Sequence, residues 1–557
     1  MLDGYKTAIQ VYCCYLMADL VHSEELENAI IPVGDEKVLA DVVPEEPKQR
    51  SLRSKLKLGL MLVLVLVYYV ASMILTPTSP LLRSVICGFI VLKIFFKFFP
   101  VRRVTRPISR SLEPLISKVR DVPSLVRHGI GAALIIILLL AVTFGFPETE
   151  SGTIAQRCQS LFGLGVLLLM MIALSRDFRN INWQPVISGI FIQLGVGLFV
   201  MKTSVGKDLF RFLSSQCDAF LGFATEGSKF VIGPLAATQA FVFSVLPAII
   251  FFAAFIQILY HLGVMQWVIV KSAWFFKVVM DTSGSESVVA AASPFIGMCE
   301  SPMLVEPFLS EMTRSELHQV MSSGFSTIAG SVLIAFISFG INSEALITSC
   351  VMAVPCSLAL SKLRYPETEE SKTKGHVILS EEKERSSNIL HAATNGATQG
   401  ITLCLLISSA LLGIISLIAL VNSLLTFFGS FLRIKELTLQ LMGGYVFLPF
   451  AWLVGTPSRE CEAVGQLMAI KLFTNEFVAF GRLAELQKAG ELSTRASIIA
   501  TYALCGFANF SSIGIQIGCL GAMAPTRKRD LAELALSAMF TGTICTFVSA
   551  AIAGILI

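Results

Sequence analysis

Apolar residues fall in long runs along this chain, separated by short polar stretches. A helix needs about 20 apolar residues to cross the hydrocarbon core of a bilayer. Runs that satisfy this lie at 57–76, 81–99, 128–146, 160–175, 183–202, 237–260, 323–341, 345–361, 400–430, 496–520 and 530–557. The pattern predicts an all-α polytopic membrane protein with about eleven transmembrane helices. Residues 204–235 place Leu209, Leu213, Cys217, Phe220 and Phe223 at helical spacing and read as an external interfacial helix. Residues 264–280, with Trp267, Lys271, Trp274, Phe275 and Lys277, read as a cytoplasmic one.

Two further regions are apolar enough to enter the bilayer but are broken by Gly, Ser, Pro and acidic residues: 281–308 and 453–481. Irregular backbone at membrane depth is tolerated only where protein or a wet cavity surrounds it. Each region is therefore predicted to form a re-entrant helical hairpin. Each is followed by a related helix, one containing Gly324 to Gly330 and the other Gly506 to Gly514, and each carries an acidic residue in its second half, Glu300 and Glu476. The chain thus repeats one unit twice. Interrupted segments in matching positions of two inverted halves point to a transporter's binding site near the bilayer midplane.

Charge sets the orientation. Of 557 residues, 54% are hydrophobic and 15% charged, against about a quarter charged in soluble domains, which excludes an ordinary soluble enzyme or a secreted disulfide module. The net charge of +4 is too small to argue for nucleic acid. Lys and Arg cluster before the first span, after the second, and again at Arg176 and Arg179, at Lys362 and Arg364, and at Arg527 to Arg529. Short basic loops stay cytoplasmic. The first repeat helix then runs outward and the second inward. The N-terminus is expected to be cytoplasmic and the C-terminus external. The expected organisation is a cytoplasmic tail over 1–56, three N-terminal spans over 57–146 and a core over 160–557, with a cytoplasmic loop at 363–396.

The 13 Cys form no CxxC motif or Cys/His ladder and read as small buried hydrophobes, with no zinc site and no other cofactor. No GxSxG elbow or phosphate-binding loop is present, and His318 sits in a polar linker outside the hairpins, so an enzyme is not expected. A carboxylate at a helix centre costs about 2.5–3.5 kcal/mol on insertion scales. Glu300 and Glu476 are therefore expected to line a wet cavity or bind something. Glu286, Glu460 and Glu462, near the hairpin ends, suit structural contacts, with Arg459 or Lys471 as partners for Glu460. Asn509 to Ser512 add amide and hydroxyl groups in mid-span. Carboxylate, Asn and Ser together suit a vicinal diol, and no basic residue accompanies them as an anion site would require.

At these residues the sequence resembles the concentrative nucleoside transporter family, over about residue 160 to the C-terminus. The motifs are GFSTIAGSVL (324–333), WLVGTP (452–457), NEFVAF (475–480) and CGFANFSSIGI (505–515). The N-terminal spans and acidic tail are similar to the eukaryotic branch. The resemblance implies a cation-driven symporter of the plasma membrane importing nucleosides, built as a homotrimer and working by an elevator movement. It implies that Glu476, Asn509 and Ser512 hold the ribose, that Glu300 is a hairpin carboxylate in the site, and that Phe507 contacts the base.

Two departures qualify the resemblance. Where the family usually reads Gly-Gln-Ser/Thr-Glu, this chain reads Gly297-Met298-Cys299-Glu300. Met298 offers no amide to the base edge, and Cys299 offers a thiol, a weaker donor than a hydroxyl. Seven residues before that Glu, sodium-coupled members carry Asn, and here stands Ser293. Ile296, Thr327 and Ile328 match the other coupling-ion positions, with Ser293 and Thr327 offering side-chain oxygens to Na+. The Ser favours H+ over Na+ as the coupling ion, with Glu300 as the proton carrier. The alternatives are Na+ coupling or a transport-deficient nucleoside-binding sensor.

Overall fold

A computed structural model describes residues 123–149, 152–233, 241–372, 386–431 and 437–557. The predicted tail and the spans at 57–76 and 81–99 lie outside the described residues. The chain divides into two compact units. In the smaller, residues 34–130, only 123–130 are described, as the start of the first helix. All that follows concerns the larger unit from Gly131 onward.

The described chain is helical, with an isolated bridge between Thr149 and Gly152 and no strand. Three spans come first: α1 (Ser124–Gly145), α2 (Ile154–Ala173) and α3 (Trp183–Lys202). Their starts are written locally. Thr153 and Gln156 close a capping box on α2, and the Asn182 side chain accepts the Gln184 N–H of α3, so first-turn donors are satisfied. Then come α4 (Ser204–Ile232), at the place of the predicted external helix, and α5 (Phe241–His261) and α6 (Val264–Met280), bent by 77° at their junction.

The first hairpin follows as α7 (Gly284–Ala292), a turn, a 3-10 segment Ser301–Val305 and α8 (Glu306–Leu309). Next is a broken helix, α9 (Arg314–Ser326) and α10 (Gly330–Ser338), and a long helix, α11 (Ser343–Arg364). After α12 (Ile389–Phe431) and α13 (Leu439–Leu453) the same order recurs. The second hairpin is α14 (Cys461–Phe473) and α15 (Glu476–Lys488). The second broken helix is α16 (Thr494–Leu504) and α17 (Phe510–Met523), and the long helix is α18 (Lys528–Leu556).

Four expectations are corrected. The span at 323–341 is the second part of a helix that starts at Arg314 and breaks at 327–329. The span at 496–520 is split at 505–509. Hydropathy averages over such breaks, because most of the breaking residues are apolar or small. The second hairpin runs over 461–488 rather than 453–481, since α13 takes the apolar residues up to Leu453. Finally α12 begins at Ile389, so the last part of the expected loop 363–396 is helix. Among the described residues seven helices are long and apolar enough to cross a membrane, eight with the bent α5–α6 pair.

Helix α18 is the central element. It packs on α9, α16, α2 and α11, and its residues from Thr541 to Leu556 are all buried. A helix that is apolar all round is stable only inside a bundle or a membrane. In contrast α12 leaves Leu405, Leu412, Leu417 and Phe431 exposed, as befits a helix whose solvent is lipid.

Candidate functional site

Two buried arginines and one buried lysine fix the frame around the hairpins. The Arg495 guanidinium donates to the carbonyls of Gly455 (2.9 Å), Gly554 (2.8 Å) and Gln156 (3.2 Å) and to Ser160 Oγ (3.1 Å). It thereby joins the WLVGTP turn to α2 and α18. Arg157 donates to the carbonyls of Phe146, Pro147 and Ile557. Arg suits such sites because its planar fork carries five donors in fixed directions. At the other repeat, Lys362 pairs with Glu286 and with Glu367 (3.1 Å), and Glu286 also caps α7 through the Ser283 N–H. Glu286 is thus structural, as its place near a hairpin end suggested. Glu460 accepts from the Ser493 N–H and Oγ (2.8 Å) at the start of α16, rather than pairing with Arg459 or Lys471. Glu462 is exposed. His318 is not in a linker but buried in α9, between Ser361 and Ser537 and stacked on Tyr365.

The turn of the second hairpin is the most hydrogen-bonded part of the candidate site. Asn475 caps α15 through the Val478 N–H, which places Glu476 in the first turn. Asn509 caps α17: its Oδ1 accepts the Ser512 N–H (2.8 Å) and the Ser511 hydroxyl (2.7 Å). With the oxygen so engaged, the amide nitrogen points the other way, and it donates to Glu476 Oε2 at 2.9 Å. Glu476, Asn509 and Ser512 are all buried. Lys471, on the preceding arm, is buried close enough to act electrostatically on Glu476. Its Nζ donates to the Ala503 carbonyl (2.9 Å) and Thr546 Oγ1 (3.3 Å). The expectation that no basic residue accompanies these groups is therefore corrected. A lysine five residues before Glu476 inside an apolar helix was the available signal.

The two helix breaks cross. The Phe507 N–H donates to the Thr327 carbonyl at 3.2 Å. A Cβ on Gly506 would stand 2.8 Å from the Phe325 carbonyl oxygen and 3.1 Å from that of Ser326, so this approach needs glycine. The Thr327 hydroxyl donates back to the Ser323 carbonyl (2.9 Å), and Ile328 is buried beside it. Ser293, at the end of α7, donates to the Val289 carbonyl (2.7 Å) and lies 3.4 Å from Ser301 Oγ, which ties the two arms of the first hairpin together. Ile296 donates its N–H to the Ala292 carbonyl in the same turn. Among the described residues no three His, Cys, Asp or Glu side chains cluster as a tight metal site.

Glu300 stands apart from the Glu476–Asn509 pair. Its carboxylate meets the backbone N–H groups of Cys299 and Glu300 itself, and the residue remains exposed. Met298 packs against α9 at Gly324, where an added Cβ would lie 2.9 Å from Met298 Cβ and 2.6 Å from Gln516 Nε2 of α17. Gln516 is fully buried. Its Nε2 donates to the Met321 carbonyl at 3.1 Å, and its Oε1 has no hydrogen-bond partner among the described residues. Sequence reasoning passed over Gln516, although it lies four residues beyond Ser512 on the same helix face. Cys299 is joined to Cys519 of α17 by a disulfide. That corrects two expectations, an unpaired cysteine and a thiol donor, because a disulfide sulfur has no proton to donate.

Three family models match the chain: "Na+ dependent nucleoside transporter N-terminus" over residues 162–235, "Nucleoside recognition" over 242–343 and "Na+ dependent nucleoside transporter C-terminus" over 345–554. Sodium/nucleoside cotransporter 1 of Oryctolagus cuniculus is 38% identical over 523 residues, covering 91% of this chain and 78% of that protein. Solute carrier family 28 member 3 of Mus musculus is 41% identical over 432 residues, covering 75% and 62%. The solved structure of CNTnw in an inward-facing, substrate-bound state superposes with a TM-score of 0.68 at 34% identity, covering 72% of this chain and 97% of that one.

Proposed function

Since this chain belongs to the Na+-dependent, concentrative nucleoside transporter family, we propose that it imports nucleosides across the plasma membrane in symport with Na+, with Glu476, Asn509 and Ser512 holding the ribose. It is a multi-pass membrane transporter and not an enzyme. The observation that carries the ribose assignment is the Asn509–Glu476 hydrogen bond between the second hairpin turn and the start of α17. It leaves a carboxylate acceptor fixed beside amide and hydroxyl groups. A cis-diol, with two donors and two acceptors close together, is matched by that set. Phe507 offers a face to the base, and Met298 an apolar contact, so base selection rests on fewer polar groups than in relatives with Gln there.

Sodium replaces the expectation of proton coupling. The relatives' names describe sodium cotransport. Ser293 and Thr327 keep hydroxyl oxygens, and both donate their protons to carbonyls, which leaves lone pairs for a cation. Ile296 and Ile328 contribute backbone in the same turns. Glu300 then serves as an exposed carboxylate available to the substrate. The homotrimer, the elevator movement of the hairpins, and a cytoplasmic N-terminus with an extracellular C-terminus belong to the same reading. Uptake of a radiolabelled nucleoside by cells expressing the chain, in sodium against choline medium at fixed pH, tests it. Uptake should depend on sodium and be blocked by competing ribonucleosides. Equal uptake in choline would reject sodium coupling.

A further inference from the structure

We propose that Cys299 and Cys519 form a reversible dithiol–disulfide switch that pins the first hairpin to α17 and arrests transport when oxidised. The inference rests on the transport reading above. The two residues are 220 positions apart in the chain, yet their Cα atoms lie 5.7 Å apart, inside the range a disulfide requires. Both are partly accessible. By contrast Cys350 and Cys505, whose sulfurs lie 3.6 Å apart, are buried and closed to a dissolved oxidant.

The location gives the bond its consequence. Cys299 lies between Met298 and Glu300 at the turn of the first hairpin. Cys519 lies about two helical turns beyond Ser512, three residues after Gln516. The start of α17 already holds the second hairpin, through Asn509 and Glu476. With the disulfide formed, α17 is bound to both hairpin turns, by a hydrogen bond at one end and covalently at the other. A hydrogen bond exchanges with a substrate hydroxyl or water. A disulfide does not, so the first hairpin cannot part from α17 to admit or release a nucleoside.

Oxidation needs an external disulfide such as glutathione disulfide. One cysteine thiolate attacks it, forming a mixed disulfide and releasing one glutathione thiolate. The second cysteine thiolate attacks the protein-bound sulfur, forming the Cys299–Cys519 bond and releasing the second glutathione thiolate. The two protons lost by the cysteines end on the two glutathiones. Excess reduced glutathione or dithiothreitol reverses both steps.

The test uses the full chain purified into phosphatidylcholine liposomes under a sodium gradient. Nucleoside uptake is measured after dithiothreitol, after glutathione disulfide, and after dithiothreitol again, and peptide mass spectrometry reads the fraction of Cys299 joined to Cys519. Uptake should fall in proportion to the joined fraction and return on reduction. Cys519→Ser and Cys519→Ala, which remove the bond without touching the ribose groups, should transport and ignore glutathione disulfide. Full uptake by the joined protein would overturn the switch, and so would oxidant inhibition that persists in both Cys519 variants. A reduced protein that reaches the liposomes and carries no nucleoside would instead overturn the transport reading itself.

Discussion

The Asn509 amide nitrogen lies 2.9 Å from Glu476 Oε2, joining the turn of one hairpin to the break of the following helix. The Asn509 amide is held in this orientation because its oxygen is committed to the cap of α17. The geometry makes Glu476 an obligatory acceptor.

Glu476→Gln should therefore suppress uptake while leaving the protein at the membrane. A hydrogen bond to a charged group contributes about 2 kcal/mol, which is roughly thirtyfold in affinity. Saturation kinetics of nucleoside uptake, with surface biotinylation as control, measures it. Normal kinetics would remove Glu476 from the ribose site.

Arg495→Lys keeps the charge but loses the fork that spans Gly455, Gly554 and Ser160. Buried carbonyls left without donors cost about 1–3 kcal/mol each. Thermal unfolding of the detergent-solubilised variant should begin well below that of the parent. An unchanged Tm would show that the network adds little.

Lys362→Met leaves Glu286 buried without its ion partner. Losing one member of a buried pair costs about 3–5 kcal/mol. Adding Glu286→Gln to that variant should recover part of the loss, because the stranded charge is gone. A double-mutant cycle of unfolding free energies reads the coupling, and strict additivity would argue against the pair.

Gly506→Ala puts a methyl group against the Phe325 and Ser326 carbonyls where the helix breaks cross. Overpacking of this kind costs about 1–3 kcal/mol. Because the breaks flank Thr327 and Phe507, uptake should fall further than stability does. Comparing sodium dependence of uptake with thermal unfolding separates the two, and parallel losses would show only a packing role.

The sequence by itself determined the fold class, most helices, both hairpins and the repeat. These are local properties: an apolar run must be long enough for the bilayer, and Gly, Ser, Pro and Glu inside such a run disrupt it wherever it folds. The same logic drew attention to Glu300 and Glu476, since a carboxylate in an apolar run carries its cost in any arrangement. It also showed Asn509 and Ser512, as polar groups in mid-span.

The tertiary structure decided which of these groups meet. Glu476 finds Asn509 and is buried, while its repeat-mate Glu300 stays accessible, a difference invisible in two similar hairpin sequences. Lys471 lies beside Glu476, Gln516 meets Met321 of another helix and Cys519 meets Cys299 of the first hairpin, and which partner each takes is set by packing. The Cys299–Cys519 bond closes 220 residues. The breaks at 327–329 and 505–509 were lost in hydropathy averages, and only the tertiary structure brings their backbones together at Phe507 and Thr327. Burial costs are written residue by residue, but partners are chosen by packing, which one chain's order does not state.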